Sequence, residues 1–244
     1  MRTGLLRLRS DLVSGAAVTL LFLSLCGIAP PASAQSKNRA PGFESLPADV
    51  TIVIMPVDIE LFEISAGGVL EPRADWTALA AGHFRDALEA KRKTARLKTM
   101  FLSEQDADEL AEINTLHAAV ARAISIHHFG QSQMQLPTKQ GKLDWSLGEP
   151  VGRIREKTGA DYAFFCWIRD SYASGERVAT MIALALVGVG TSGGVQVGYA
   201  SLVDLRTGHV LWFNRLARPS GDLREADKAR ETLDALLDNF PEVR

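Results

Sequence analysis

The residue type best placed for chemistry is a serine, Ser192, inside a glycine-rich run from Gly188 to Gly194 that fits two motifs at once. Gly188-Val-Gly190-Thr-Ser-Gly193 matches the dinucleotide fingerprint G-x-G-x-x-G, and Gly190-Thr-Ser192-Gly-Gly194 matches the nucleophile elbow G-x-S-x-G. Each motif needs a strand entering and a helix leaving, because the helix N-terminus supplies the N–H groups that hold a phosphate or an oxyanion. Here a strand-like run, Val195 to Asp204, leaves. The expected meaning is a hinge or turn, with an exported serine hydrolase using Ser192 and a histidine and aspartate from elsewhere as the alternative.

The histidines and cysteines offer little more. His117, His127 and His128 fall on one helical stretch, where His117 and His128 share a face but stand about 16 Å apart, while His127 and His128 point about 100° away from each other. Neither pair chelates one ion, and His83, on the apolar stripe of an earlier helix, has no ligand type one turn on. No metal and no cofactor is expected. Cys166 is flanked by Phe164, Phe165, Trp167 and Ile168, a setting for a buried core thiol rather than a reactive one.

The N-terminus carries an address. Arg2, Arg7 and Arg9 precede an apolar run from Leu12 to Ile28, and Ala32-Ser33-Ala34 forms an A-x-A site before Gln35, the build of an export signal. Cleavage between Ala34 and Gln35 is expected. Leu23-Ser24-Leu25-Cys26 resembles a lipobox, with Cys26 as the possible lipidated residue, although Leu25 is larger than the small residue such a box wants. The domain plan is a signal peptide at 1–34, a flexible leader at 35–47 with Pro41 and Pro47, and one α/β domain at 48–244. With Cys26 removed no internal disulfide can form. The net charge of −2 over the whole chain leaves no basic field for nucleic acid.

Periodicity supplies the elements. Strand-like runs cover Val50 to Met55, Val57 to Ser65 with a return piece at Val69-Leu70, Leu97 to Leu102, Asp161 to Arg169, Val195 to Asp204 and Val210 to Leu216. Helical stripes run from Asp75, from Ser103 to about His128, from Pro150 to Thr158 and from Asp222 to Phe240. The fold class is α/β of the α+β type: a single domain with a mixed, mostly antiparallel sheet of about five strands and helices packed on it. Asp161 to Arg169 is apolar on both faces, so it reads as an interior strand covered on both sides, and Arg169 to Arg177 reads as a polar loop. Val178 to Val189, at about 18 Å as a helix, is too short for a bilayer core of about 30 Å. It reads first as a buried helix and second as a segment that seeks a membrane surface or a partner. Gly130 to Leu147 lacks periodicity, and a loop of that length is a place for partner contact, with Gln133, Gln135 and Trp145 as the expected contacts.

Gly159-Ala160-Asp161-Tyr162, followed by Ala200-Ser201-Leu202-Val203-Asp204-Leu205-Arg206-Thr207-Gly208-His209-Val210-Leu211-Trp212, resembles the superfamily of exported bacterial α/β domains typified by the curli secretion channel lipoprotein. Peptidoglycan-synthase activator lipoproteins and the N-terminal domain of the Tol-system β-propeller protein are similar. The resemblance implies a buried strand, a hairpin whose turn wants Gly208, and no transferable catalytic residue. The single apolar Gly-rich run lacks the two alternating hairpins of a barrel-forming member, so a channel is not expected. The functional expectation is a non-enzymatic periplasmic or membrane-associated accessory protein that binds another envelope protein, with self-assembly into a homo-oligomer as a further class.

Overall fold

The computed structural model describes residues 37–94, 97–219 and 221–244. Cys26, Ala32, Ala34 and Gln35 lie outside the described residues.

The sheet is built on β5 (Tyr162–Ala173). One edge of β5 pairs antiparallel with β6 (Gln196–Asp204), from Tyr162↔Asp204 to Asp170↔Gln196. The other edge takes two strands end to end, both parallel to it: β1 (Thr51–Ile54) beside Tyr162 to Phe164, and β2 (Asp58–Ile64) beside Trp167 to Ala173. The register slips by one residue between Ile54↔Phe164 and Asp58↔Trp167. The extra residue falls beside Pro56, which has no N–H to give to a ladder, so one extended run becomes two strands.

Three further strands complete the sheet. β3 (Leu70–Pro72) folds back antiparallel on β2, β4 (Lys98–Phe101) adds parallel to β1, and β7 (Val210–Arg218) pairs antiparallel with β6. The mixed sheet thus has seven strands rather than about five, and its two longest ladders are antiparallel.

Helices cover both faces. α1 (Ala74–Thr94) carries Asp75 in its first turn and Lys91, Arg92 and Lys93 in its last, matching the helix dipole. With α6 (Ala226–Leu236) it closes one core, where Phe84, Leu233 and Leu236 meet Leu61, Phe164, Ile168 and Trp212. Cys166 lies in this core and burial pushes its thiol pKa up.

On the opposite face α2 (Glu104–Glu109), α3 (Ala111–His127) and α4 (Gly152–Thr158) follow one another. Ile113, Ile124 and Ile154 from this layer pack on Val53, Phe165, Tyr199 and Phe213. α2 starts at Ser103, whose side chain accepts from the Asp106 N–H. Gly159, at positive φ, ends α4.

Two expectations are corrected by the fold. The leader at 35–47 is packed down from residue 38 onward: the Phe213 N–H donates to the Asn38 carbonyl at 2.9 Å, the Ala40 N–H donates to the Leu211 carbonyl at 2.9 Å, and Leu46 is fully buried. Asn38 to Ala40 lie along the outer edge of β7, and Leu46 pairs with the C-terminal residues around Val243, so backbone pairing offsets the polarity of the stretch. Arg169 to Arg177 is not a loop either, since β5 runs on to Ala173. Its polar side chains have partners across the sheet: Arg169 binds Asp58 at 2.7 Å and Glu60 at 3.1 Å, and Asp170 accepts from Gln196 at 2.6 Å and from the Tyr172 hydroxyl.

Candidate interaction surface

Ser192 is not assembled into a hydrolytic site. It lies in an exposed turn, where its hydroxyl donates to the Gly194 carbonyl at 3.0 Å and accepts from the Gly194 N–H. Among the described residues no base is hydrogen-bonded to it, and β6 follows it in place of a helix. The histidines have other partners: His83 contacts the Leu223 carbonyl, His127 the Met134 carbonyl and His128 the Lys37 carbonyl. No group of three potential metal ligands occurs among the described residues.

One serine–histidine pair does exist, and spacing gives no sign of it. His117 Nε2 lies 2.7 Å from Ser201 Oγ across 84 residues of sequence, brought together where α3 lies over β6. The ring stacks on Phe165 at 3.9 Å with its plane 8° away. Ser201 is fully buried and burial drives the His117 pKa down to about 3, so the imidazole is neutral and no carbonyl substrate reaches the hydroxyl. The pair satisfies two buried polar groups inside the core.

The sheet ends before the apolar run that follows it. The Ala173 N–H donates to the Gly193 carbonyl at 2.8 Å, closing the base of an excursion between β5 and β6. Ser174 caps the helix within it, α5 (Gly175–Ala185), by accepting from the Arg177 N–H. No residue of α5 is buried. The expectation of a buried helix at Val178 to Val189 is therefore corrected: with no strand beneath it, the helix has no core to enter. Ile182 is 60% exposed, Leu186 84% and Val187 73%. Arg177 Nη1 reaches back to the Ala66 carbonyl at 3.4 Å, tying the β2–β3 turn to α5. Val69 and Leu70, beside that turn, are exposed as well. This exposed apolar surface makes the excursion a candidate interaction surface.

The long loop divides its three singled-out residues. Gln133 is exposed and donates to the Gln131 side chain at 2.8 Å, and Gln135 is half-buried and reaches the Gly130 carbonyl. Trp145 turns inward to pack on the α3-side core, with Lys139 over its ring at 5.1 Å. Its carbonyl accepts from the Val210 N–H at 2.9 Å, and Leu143 and Leu147 are buried, so the second half of the loop is a wall of the core.

No helix among the described residues is long and apolar enough to cross a membrane. No family model and no curated protein matches the chain. Among solved structures it is similar to the PelC dodecamer from Paraburkholderia phytofirmans, at 10% identity over 80% of this chain and 89% of that one, with a TM-score of 0.38. It is similar to lipoprotein GNA1162 from Neisseria meningitidis, at 12% identity over 78% and 94% of the two chains, with a TM-score of 0.31. It is also similar to the LpoB C-terminal domain from Salmonella enterica, at 13% identity over 73% and 87%, with a TM-score of 0.29.

Proposed function

We propose that this protein is an exported envelope accessory domain that acts by binding another envelope protein and carries out no catalysis of its own. The observation that carries the reading is α5, a capped helix with no buried residue and a run of exposed aliphatic side chains. Burying one such side chain contributes about 1.5 to 3 kcal/mol, so several together hold a partner. Gln133 and Gln135, with exposed or half-exposed amides, are proposed as additional partner contacts, while the inward-facing Trp145 supports the loop that presents them.

The test is affinity purification from cross-linked envelopes with the wild-type chain and with Ile182→Glu and Leu186→Glu. One protein recovered with the wild type and lost with both variants is the expected outcome. Turnover of a small substrate with no specific partner recovered would sink the reading. Light scattering exposes self-assembly through the same helix, and sedimentation with anionic vesicles exposes direct membrane contact.

Cleavage after Ala34 and release by osmotic shock are proposed from the A-x-A site. N-terminal sequencing with palmitate labelling checks this, since a chain beginning at lipid-bearing Cys26 replaces a released protein with an anchored one.

A further inference from the structure

On the α3 side the helix layer does not close completely over the sheet. Beyond the row of Phe165, Ser201 and Phe213 come the cross-strand rows Trp167, Tyr199, Arg215 and Arg169, Val197, Ala217, and of these Trp167, Tyr199, Arg215, Val197 and Ala217 line a gap beside α3. A cleft of about 700 Å³ lies there between α3 and the strands. Its helix wall is kept low by Ala118 and Ala119, and its floor is Tyr199 stacked on Trp167 at 5.2 Å with the planes 11° apart.

The charges around this floor are unequal. On the β2 side Arg169 lies over Trp167 and is neutralised by Asp58 and Glu60. On the other side Arg122 of α3 and Arg215 of β7 both line the cleft, and neither takes part in an ion pair among the described residues. Arg215 is held in place by the Ser125 carbonyl at 3.4 Å and by the Phe129 ring. An aromatic floor with two unpaired guanidinium groups at its rim selects a group that is flat or aliphatic in its middle and carries carboxylates beside it.

We infer that this cleft is a second docking surface, distinct from α5, that takes an acidic segment of a partner polypeptide with an aromatic or aliphatic side chain seated on Trp167 and Tyr199. It rests on the partner-binding reading above. The cleft is a recess between α3 and the strands, which a protruding side chain enters and a flat lipid surface does not. Charge complementarity selects the acidic partner, because the excess charge left in the cleft is positive.

The full-length chain is expressed in its native envelope with the photo-cross-linker p-benzoylphenylalanine at Ala118 or Ala217 in the cleft, or at Ile182 on α5. In parallel the purified full-length chain is titrated with poly(Glu,Tyr), an acidic aromatic polypeptide, and followed by tryptophan fluorescence. The expected result is one adduct common to Ala118 and Ala217, whose cross-linked segment carries Asp or Glu beside an apolar residue, together with saturable poly(Glu,Tyr) binding. The double variant Arg122→Glu/Arg215→Glu removes the adduct and weakens poly(Glu,Tyr) by about tenfold. Ala118→Trp, which fills the cleft from an exposed helix position, does the same without changing charge. Poly(Glu,Tyr) binding that survives both variants overturns the inference. An adduct at Ile182 with silence at Ala118 and Ala217 overturns the cleft while the partner reading stands; silence at all three positions overturns both.

Discussion

His117 and Ser201 form a hydrogen bond of 2.7 Å inside the core, with the imidazole flat against Phe165. Burial pushes the His117 pKa to about 3, below its unfolded value, so the folded state holds it neutral while the unfolded chain takes up a proton below about pH 6.5. Its contribution is full above that pH and is lost as pH falls towards 3, at about 1.4 kcal/mol per unit. His117→Gln, which keeps a polar partner for Ser201 but does not titrate, is expected to flatten stability against pH in that window. Urea midpoints between pH 4 and pH 7 check it, and parallel curves for the two proteins would contradict it.

The same burial predicts silence towards serine probes. A fluorophosphonate is expected to leave the full chain unlabelled, because Ser201 is inaccessible and Ser192 is bonded within its own turn. Labelling that disappears with Ser192→Ala or with Ser201→Ala would restore a hydrolase.

Gly208 is required twice over. Its φ of +73° disfavours any side chain, and a Cβ there would lie 2.3 Å from the Gly148 carbonyl oxygen. Gly159 has a similar φ of +67° with nothing within 4 Å of the same point. Gly159→Ala is therefore expected to cost about 1 kcal/mol from backbone strain alone. Gly208→Ala adds a backbone clash and is expected to cost clearly more, with Gly208→Val worse still. Denaturant unfolding of the three variants orders them, and equal losses at 208 and 159 would mean that the hairpin and the Gly148 turn move apart freely.

Tyr172 ties Asp170 of its own strand to the segment that leads into α6. Its hydroxyl donates to Asp170 and accepts from the Leu223 N–H at 2.9 Å, and burial pushes the Asp170 carboxyl up. Tyr172→Phe leaves both groups short of a partner and is expected to cost about 1 to 3 kcal/mol. A thermal melt indistinguishable from wild type would show that water replaces the hydroxyl.

The exposed helix should behave in the opposite way. Leu186→Glu is expected to change folding stability by no more than about 0.5 kcal/mol, since the residue is 84% exposed, while abolishing partner recovery. A large loss of stability would mean that Leu186 is packed in the folded state.

Much of this fold was legible because the signals are local. The two apolar faces of Tyr162 to Ile168 mark an interior strand, the 3.6-residue stripes mark α1, α3 and α6, and the Asp204 to Val210 link marks a hairpin whose positive-φ position is Gly208. Each depends on the residues' own periodicity or backbone freedom, so the linear chain determines it.

Only the tertiary structure decided the rest, because it depends on what lies opposite a residue. An apolar run such as Val178 to Val189 reads the same buried or exposed; what exposes it is that the sheet stops at Ala173 and the excursion closes between Ala173 and Gly193. Arg169 to Tyr172 reads as a loop until Asp58, Glu60 and Gln196 stand across from it and neutralise its polarity. Trp167 reads as core from its alternation, yet α3 covers only part of the sheet and leaves its ring on the cleft floor. His117 and Ser201 carry no mark of each other in sequence, since the packing of α3 on β6 alone sets their distance.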